Sequence, residues 1–171
     1  MLIRKICGNS LGMIEILESN VFIGNKDDIE NVKNDVTWVV IHATRTDFET
    51  RIKSTHLPPI NFNENARFFE IGNHFYLNWI DVLDPNSYQL KDFEAVFNFI
   101  DRKILIGKKI FIYCDYSMSR SVGLCMFYLA KRLKILPDNY YLAVIEFENA
   151  YPGFDTSSGI GQFISEFWDF I

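Results

Sequence analysis

One short segment carries residue types that can do covalent chemistry: Tyr113-Cys114-Asp115-Tyr116-Ser117-Met118-Ser119-Arg120-Ser121. A thiol ends the apolar run Ile110-Phe111-Ile112-Tyr113, a short turn follows, and an arginine opens a second apolar stretch. A loop between a strand and a helix aims backbone N–H groups and the helix N-terminus at one point, where negative charge is favoured. Arg120 presents a planar fork to two oxygens of a phosphoryl group. The same field suits the Cys114 sulfur to nucleophilic attack. Asp115, Tyr116, Ser117, Met118, Ser119 and Arg120 are therefore the candidate phosphate cradle. Cys7 and Cys125 lack the arginine, since the sixth residues after them are Met13 and Lys131. The competing reading of Cys114 is an inert cysteine at a buried strand end.

The flanking elements must place this loop. Val21-Phe22-Ile23-Gly24 predicts a short strand ended by glycine, and the polar stretch 25–33, with Asp27 and Asp28 early, suits a helix N-terminus. Residues 36–41 are β-branched and apolar on both faces, as in a parallel strand covered on two sides. Residues 43–69 are polar, carry Pro58 and Pro59, and read as a long surface excursion. Phe75, Leu77 and Trp79 alternate with Tyr76 and Asn78, a strand signal, and 81–87 reads as loop. Phe93, Val96, Phe97, Ile100 and Ile104 fall on one helical face. Helical spacing returns over 122–133, over 139–150, and in the last apolar stripe from Ile160 to Ile171. Gly159-Ile160-Gly161 reads as a helix-start turn. Strands alternating with helices predict an α/β fold: one domain over 1–171, with a central, mostly parallel sheet flanked by helices.

The loop resembles the signature of the cysteine-dependent protein tyrosine phosphatases, His-Cys-x-x-Gly-x-x-Arg-Ser/Thr, and the surrounding chain resembles the small dual-specificity phosphatases. The likeness runs upstream through Tyr76-Leu77, Asp84 and Phe99-Ile100-Asp101, and downstream through the helix ending at Leu133. It implies a protein tyrosine phosphatase-like fold and roles position by position. Cys114 attacks phosphorus and forms a cysteinyl-phosphate. Arg120 and the loop amides hold the equatorial oxygens. Ser121 donates to the sulfur, and Asp84, followed by Pro85 on a mobile loop, protonates the leaving group. Asp81 is the alternative acid. Three positions depart from the pattern. Tyr113 stands where the family has histidine, Ser117 where it has glycine, and Asp115 puts a carboxylate beside the nucleophile, either turned outward or opposing highly charged substrates.

The resemblance implies a metal-free, cofactor-free phosphatase acting on phosphotyrosine, with phosphoserine and phosphothreonine as further substrates. Its partners are a phosphorylated protein or peptide and a phosphate or sulfate ion in the loop. A pseudophosphatase that binds phosphate without turnover, and a rhodanese-like sulfurtransferase, remain as other readings. The chain's 171 residues need no disulfide or metal to hold a core. Seventeen cations against 22 carboxylates give −5, which speaks against nucleic acid and anionic membranes as partners. Three cysteines are too few for a disulfide framework and predict a reduced, cytoplasmic setting. His42, His56 and His74 do not pair with any cysteine at metal spacing. Arg45, Arg51, Lys53 and Arg67 are read as a solvated surface, with one arginine docking a phosphopeptide as the sharper idea.

Overall fold

The computed structural model describes residues 12–54 and 65–171, so Cys7, His56, Pro58 and Pro59 lie outside the described residues. Six strands form one sheet: β1 (Ile14–Glu15), β2 (Val21–Gly24), β3 (Trp38–His42), β4 (Phe68–Ile71), β5 (His74–Leu77) and β6 (Lys109–Tyr113). Their order is β1-β2-β6-β3-β5-β4. The central strands β2, β6, β3 and β5 pair in parallel, and β1 and β4 add antiparallel edges. The sheet is thus mostly parallel, as the β-branched runs predicted. Side chains alternate across it: Ile110 and Ile112 enter the main core, while Phe111 and Tyr113 face a smaller cluster with Val32 and Val40. Both faces of β6 are covered, which is why the strand reads as a continuous apolar run.

Helices α2 (Leu90–Ile104), α3 (Arg120–Lys131), α4 (Tyr140–Ala150) and α5 (Gly159–Glu166) fall where periodicity put them. Every residue of α3 is buried, the fate of a helix that is apolar all round. Rings fill the space about it: Phe93 stacks on Phe163, and Phe127 meets both Phe93 and Trp168. Asn139 and Ser158 cap α4 and α5 by accepting from Leu142 N and Gly161 N. Among the described residues, no helix is long and apolar enough to cross a membrane.

The stretch 43–69 departs from the expected surface excursion. It opens with α1 (Arg45–Lys53), where Phe48 is the one buried residue, and it runs into β4. With so little apolar surface, α1 shows no stripe that periodicity could detect. Arg67 does not belong to a solvated surface either: its guanidinium binds the fully buried Asp92 at 2.6–2.9 Å, and Trp79 Nε1 donates to the same carboxylate at 3.1 Å. The polar run after β2 is a 3-10 turn, Lys26–Asn31, closed by a capping box between Asn25 and Asp28. β3 starts two residues later than read, leaving Val36 exposed.

Candidate active site

Cys114 follows the last residue of β6, and Arg120 is the first residue of α3, so the fold sets the two ends of the loop. None of the backbone N–H groups of residues 115–120 donates to an acceptor among the described residues. The Arg120 guanidinium is 2% exposed. Its Nη1 donates to the Trp79 carbonyl at 3.0 Å, and its Nη2 to Asp115 at 2.8 Å and Asp81 at 3.4 Å. Its Nε is buried and has no hydrogen-bond partner among the described residues. A buried donor without an acceptor costs about 1–3 kcal/mol. A cluster of such donors at a helix N-terminus is an arrangement that can hold a tetrahedral oxyanion.

Cys114 is fully buried, and its Sγ lies 3.2 Å from the Ser121 Oγ. The Arg120 side chain is held positive: burial opposes its charge, but the Cys114 sulfur, Asp115 and Asp81 outweigh that and raise its pKa. Cys125 is buried on α3, and burial alone pushes its thiol far up, the mark of an inert cysteine.

The three departures from the signature each find a partner. Ser117 has φ +52°, the left-handed region that favours glycine, so a serine there is held in a strained backbone conformation. Its Oγ donates to the Gly24 carbonyl and its own carbonyl accepts from the Tyr151 hydroxyl at 3.0 Å. Tyr113 points through the sheet, away from the sulfur. Its hydroxyl donates to Asp47 on α1 and lies 2.6 Å from His42 Nδ1, and His42 Nε2 meets His74 Nδ1 at 3.0 Å. Burial and the Asp47 contact push the Tyr113 phenol far up, so it stays neutral. Burial works against the Asp47 charge, but bonds from His42, Lys26 and Tyr113 hold its carboxyl well below the usual range. Asp115 does not turn outward. It accepts from Thr44 Oγ1 at 3.1 and 3.2 Å and pairs with Arg120. Thr44, Asp47 and the Trp79 carbonyl were not singled out in the sequence, because only the fold brings them to this loop.

Asp81 and Asp84 part company. Asp81 accepts from Ser119 Oγ at 2.9 Å and from Arg120, and it lines a cavity of ≈ 320 Å³ with Asp115 and Arg120. Asp84 caps the 3-10 turn Pro85–Ser87, accepting from Asn86 N at 3.0 Å and Asn86 Nδ2 at 2.9 Å, and among the described residues its carboxylate makes no hydrogen bond to residues 115–120. Both sit on one segment that packs against the start of α5: Gly159 N donates to the Val82 carbonyl at 3.0 Å. Of the cations considered for docking, Arg45 and Lys53 line the Asp81 cavity, and both sit near Glu49, at 2.6 and 3.9 Å.

Comparison with known proteins places this geometry in a fold. The structure resembles that of a human tyrosine phosphatase-like serine/threonine/tyrosine-interacting protein, with a TM-score of 0.62 at 18% identity, over 91% of this chain and 95% of the other. It also resembles a mouse putative dual specificity phosphatase solved with zinc tungstate, with a TM-score of 0.60 at 14% identity, over 99% and 94% of the two chains. The fold is that of the protein tyrosine phosphatase-like dual-specificity phosphatases. In sequence, the chain is 30% identical over 92 residues to human dual specificity protein phosphatase 5. That match covers 53% of this chain and 23% of the human protein, so the aligned part is about a quarter of its relative's length. No protein-family model matches the chain.

Proposed function

We propose that this chain is a phosphatase domain that hydrolyses phosphotyrosine monoesters in proteins or peptides, with phosphoserine and phosphothreonine as further substrates. The observation that carries the reading is the set of donors without an acceptor among the described residues, the 115–120 amides and Arg120 Nε, on the loop that joins Cys114 at the end of β6 to the start of α3. The tungstate bound by a protein of similar fold supports an oxyanion in this loop. In the first step the Cys114 sulfur attacks phosphorus, an S–P bond forms, and the ester P–O bond breaks. The acid's proton goes to the departing oxygen. In the second step water attacks phosphorus, its proton returns to the acid, and the sulfur leaves with help from Ser121, 3.2 Å away. Arg120 and the amides carry the charge on the phosphoryl oxygens throughout. Phosphate or sulfate would occupy the same loop, and a thiol nucleophile goes with a reducing, cytoplasmic setting.

Asp81 is engaged in orienting Arg120 and Ser119, which leaves Asp84 on the same segment as the general acid. That role requires the segment to move toward the cradle. Turnover of aryl phosphates with good and poor leaving groups tests the assignment. Asp84→Asn should slow the poor ones most, and a loss confined to Asp81→Asn would reassign the acid. A binding module without turnover is the second reading, favoured by the Asp115 carboxylate on Arg120. Anion binding with no release of phosphate from para-nitrophenyl phosphate would select it.

A further inference from the structure

The loop has a second side. Besides the charged cavity, Tyr116, Ser117 and Met118 wall a second cavity of ≈ 260 Å³ with Ile23, Gly24 and Tyr151. None of its lining residues carries a charge. Tyr151 is the strongest candidate for one, but its phenol is pushed up to about 12, by burial first, and donates to the Ser117 carbonyl. The neighbouring cavity holds all the charge: Arg45, Glu49, Lys53, Asp81, Asp115 and Arg120. Tyr116 lines both, so a sharp polarity boundary runs along one side chain of the anion loop.

Tyr116 and Met118 are 76% and 55% exposed. Large apolar side chains that leave the core at a loop carrying free anion donors do no packing work there. Exposed apolar surface beside a polar site marks recognition. The geometry points to a subsite for an uncharged, apolar side chain next to the phosphorylated residue of a peptide substrate. The phosphoryl group lies in the 115–120 cradle, and the neighbouring side chain crosses Tyr116 into the neutral cavity. Three observations fix this occupant. The cavity is continuous with the anion loop, so what fills it is tied to what binds there. Its lining residues carry no charge, and the one carboxylate behind them, Asp28 at Gly12 and Gly24, already accepts from Asn25 N, so a charged side chain entering there would lose its hydration without gaining a partner in the lining. Its volume falls just below the roughly 300–1,000 Å³ of small-ligand pockets and suits one side chain. This assignment rests on the phosphatase reading above.

The test is a set of phosphotyrosine peptides in which each flanking position is in turn Leu, Asp or Lys, read as kcat/KM by phosphate release. Para-nitrophenyl phosphate, which has no flank, reports the chemistry alone. Wild type should prefer Leu over Asp and Lys by about tenfold or more at one flanking position. Gly12 lines the cavity, and a Cβ there would meet only Asp28 Oδ1, at 3.9 Å, so Gly12→Phe fills the space. It should erase the Leu preference and leave para-nitrophenyl phosphate turnover unchanged. Equal kcat/KM across the set, with para-nitrophenyl phosphate turned over, overturns the subsite and spares the phosphatase reading. If nothing is turned over, the same peptides are titrated against the wild-type protein. A tenfold tighter Kd for the Leu peptide then supports the subsite without catalysis, and equal or absent binding overturns it. Should Gly12→Phe fail to fold, the wild-type peptide series decides alone.

Discussion

Removing the charge of Asp115 should strengthen anion binding. The carboxylate lies 2.8 Å from Arg120 Nη2, with 33% of its side chain exposed against 2% for Arg120. A bound phosphoryl group must share that guanidinium and sit near a like charge. Unit charges 4 Å apart interact by about 4 kcal/mol at an effective dielectric near 20, whereas solvent-exposed pairs are worth about 0.2–1 kcal/mol. Asp115 stands between these limits, so relief of about 1–2 kcal/mol is expected, or roughly 5–30-fold in affinity. Asp115→Asn suits the purpose, because an amide oxygen still accepts from Thr44 Oγ1. Calorimetric titration with phosphate and tungstate at low and high salt should show a tighter Kd by that factor, with the gain shrinking as salt rises. An unchanged or weaker Kd in a variant with wild-type circular dichroism would refute the reasoning. It would mean that Asp115 holds Arg120 in its binding pose rather than competing for it.

Three more outcomes are expected. A Cβ on Gly159 lands 2.4 Å from the Val82 carbonyl and 3.0 Å from that of Asp84, so Gly159→Ala must displace the segment that carries Asp84, the proposed acid. It should lower stability by about 1–3 kcal/mol and slow aryl phosphates with poor leaving groups more than good ones. Ser117→Ala keeps the φ +52° strain and strips the Gly24 carbonyl of its donor, so it should cost about 1–2 kcal/mol, whereas Ser117→Gly gains back about 1 kcal/mol of that and melts closer to wild type. The third outcome concerns pH. Burial and the neighbouring His42 depress the His74 pKa to about 4 from its ordinary 6.5. The unfolded chain therefore binds more protons than the folded one between those values, and stability should fall as pH drops from about 6.5 to 4. His74→Gln should flatten the dependence of Tm on pH across that window.

The loop could be read from sequence because the elements on either side of it are extreme. β6 is apolar on both faces and α3 all round, so a strand and a helix were fixed at Cys114 and Arg120 within a residue or two. The sequence marked Ser117 as standing at the signature glycine, and the positive φ there is what the structure adds. The partners of the loop could not be read. Thr44 meets Asp115 across 71 residues, and Asp47 meets Tyr113 across 66, along a helix with one buried side chain. Nothing local in α1 announces those contacts, since they depend on β3 and β6 lying side by side. The direction of Asp115 is undetermined by the sequence for the same reason: only the Thr44 hydroxyl and the buried guanidinium turn it inward. Arg67 looked solvated because its partner, Asp92, is a first-turn carboxylate of α2 that nothing in the local sequence marks as buried.

The central claim is that Cys114 carries the phosphoryl group. Rapid acid quench during turnover of a phosphotyrosine peptide, followed by mass spectrometry of the proteolysed protein, tests it directly. The peptide containing Cys114 should gain the mass of one phosphoryl group in wild type, gain it in larger amount in Ser121→Ala where the second step is slowed, and lack it in Cys114→Ser. Phosphate release at the wild-type rate from Cys114→Ser, or label on any residue other than Cys114, would contradict the account.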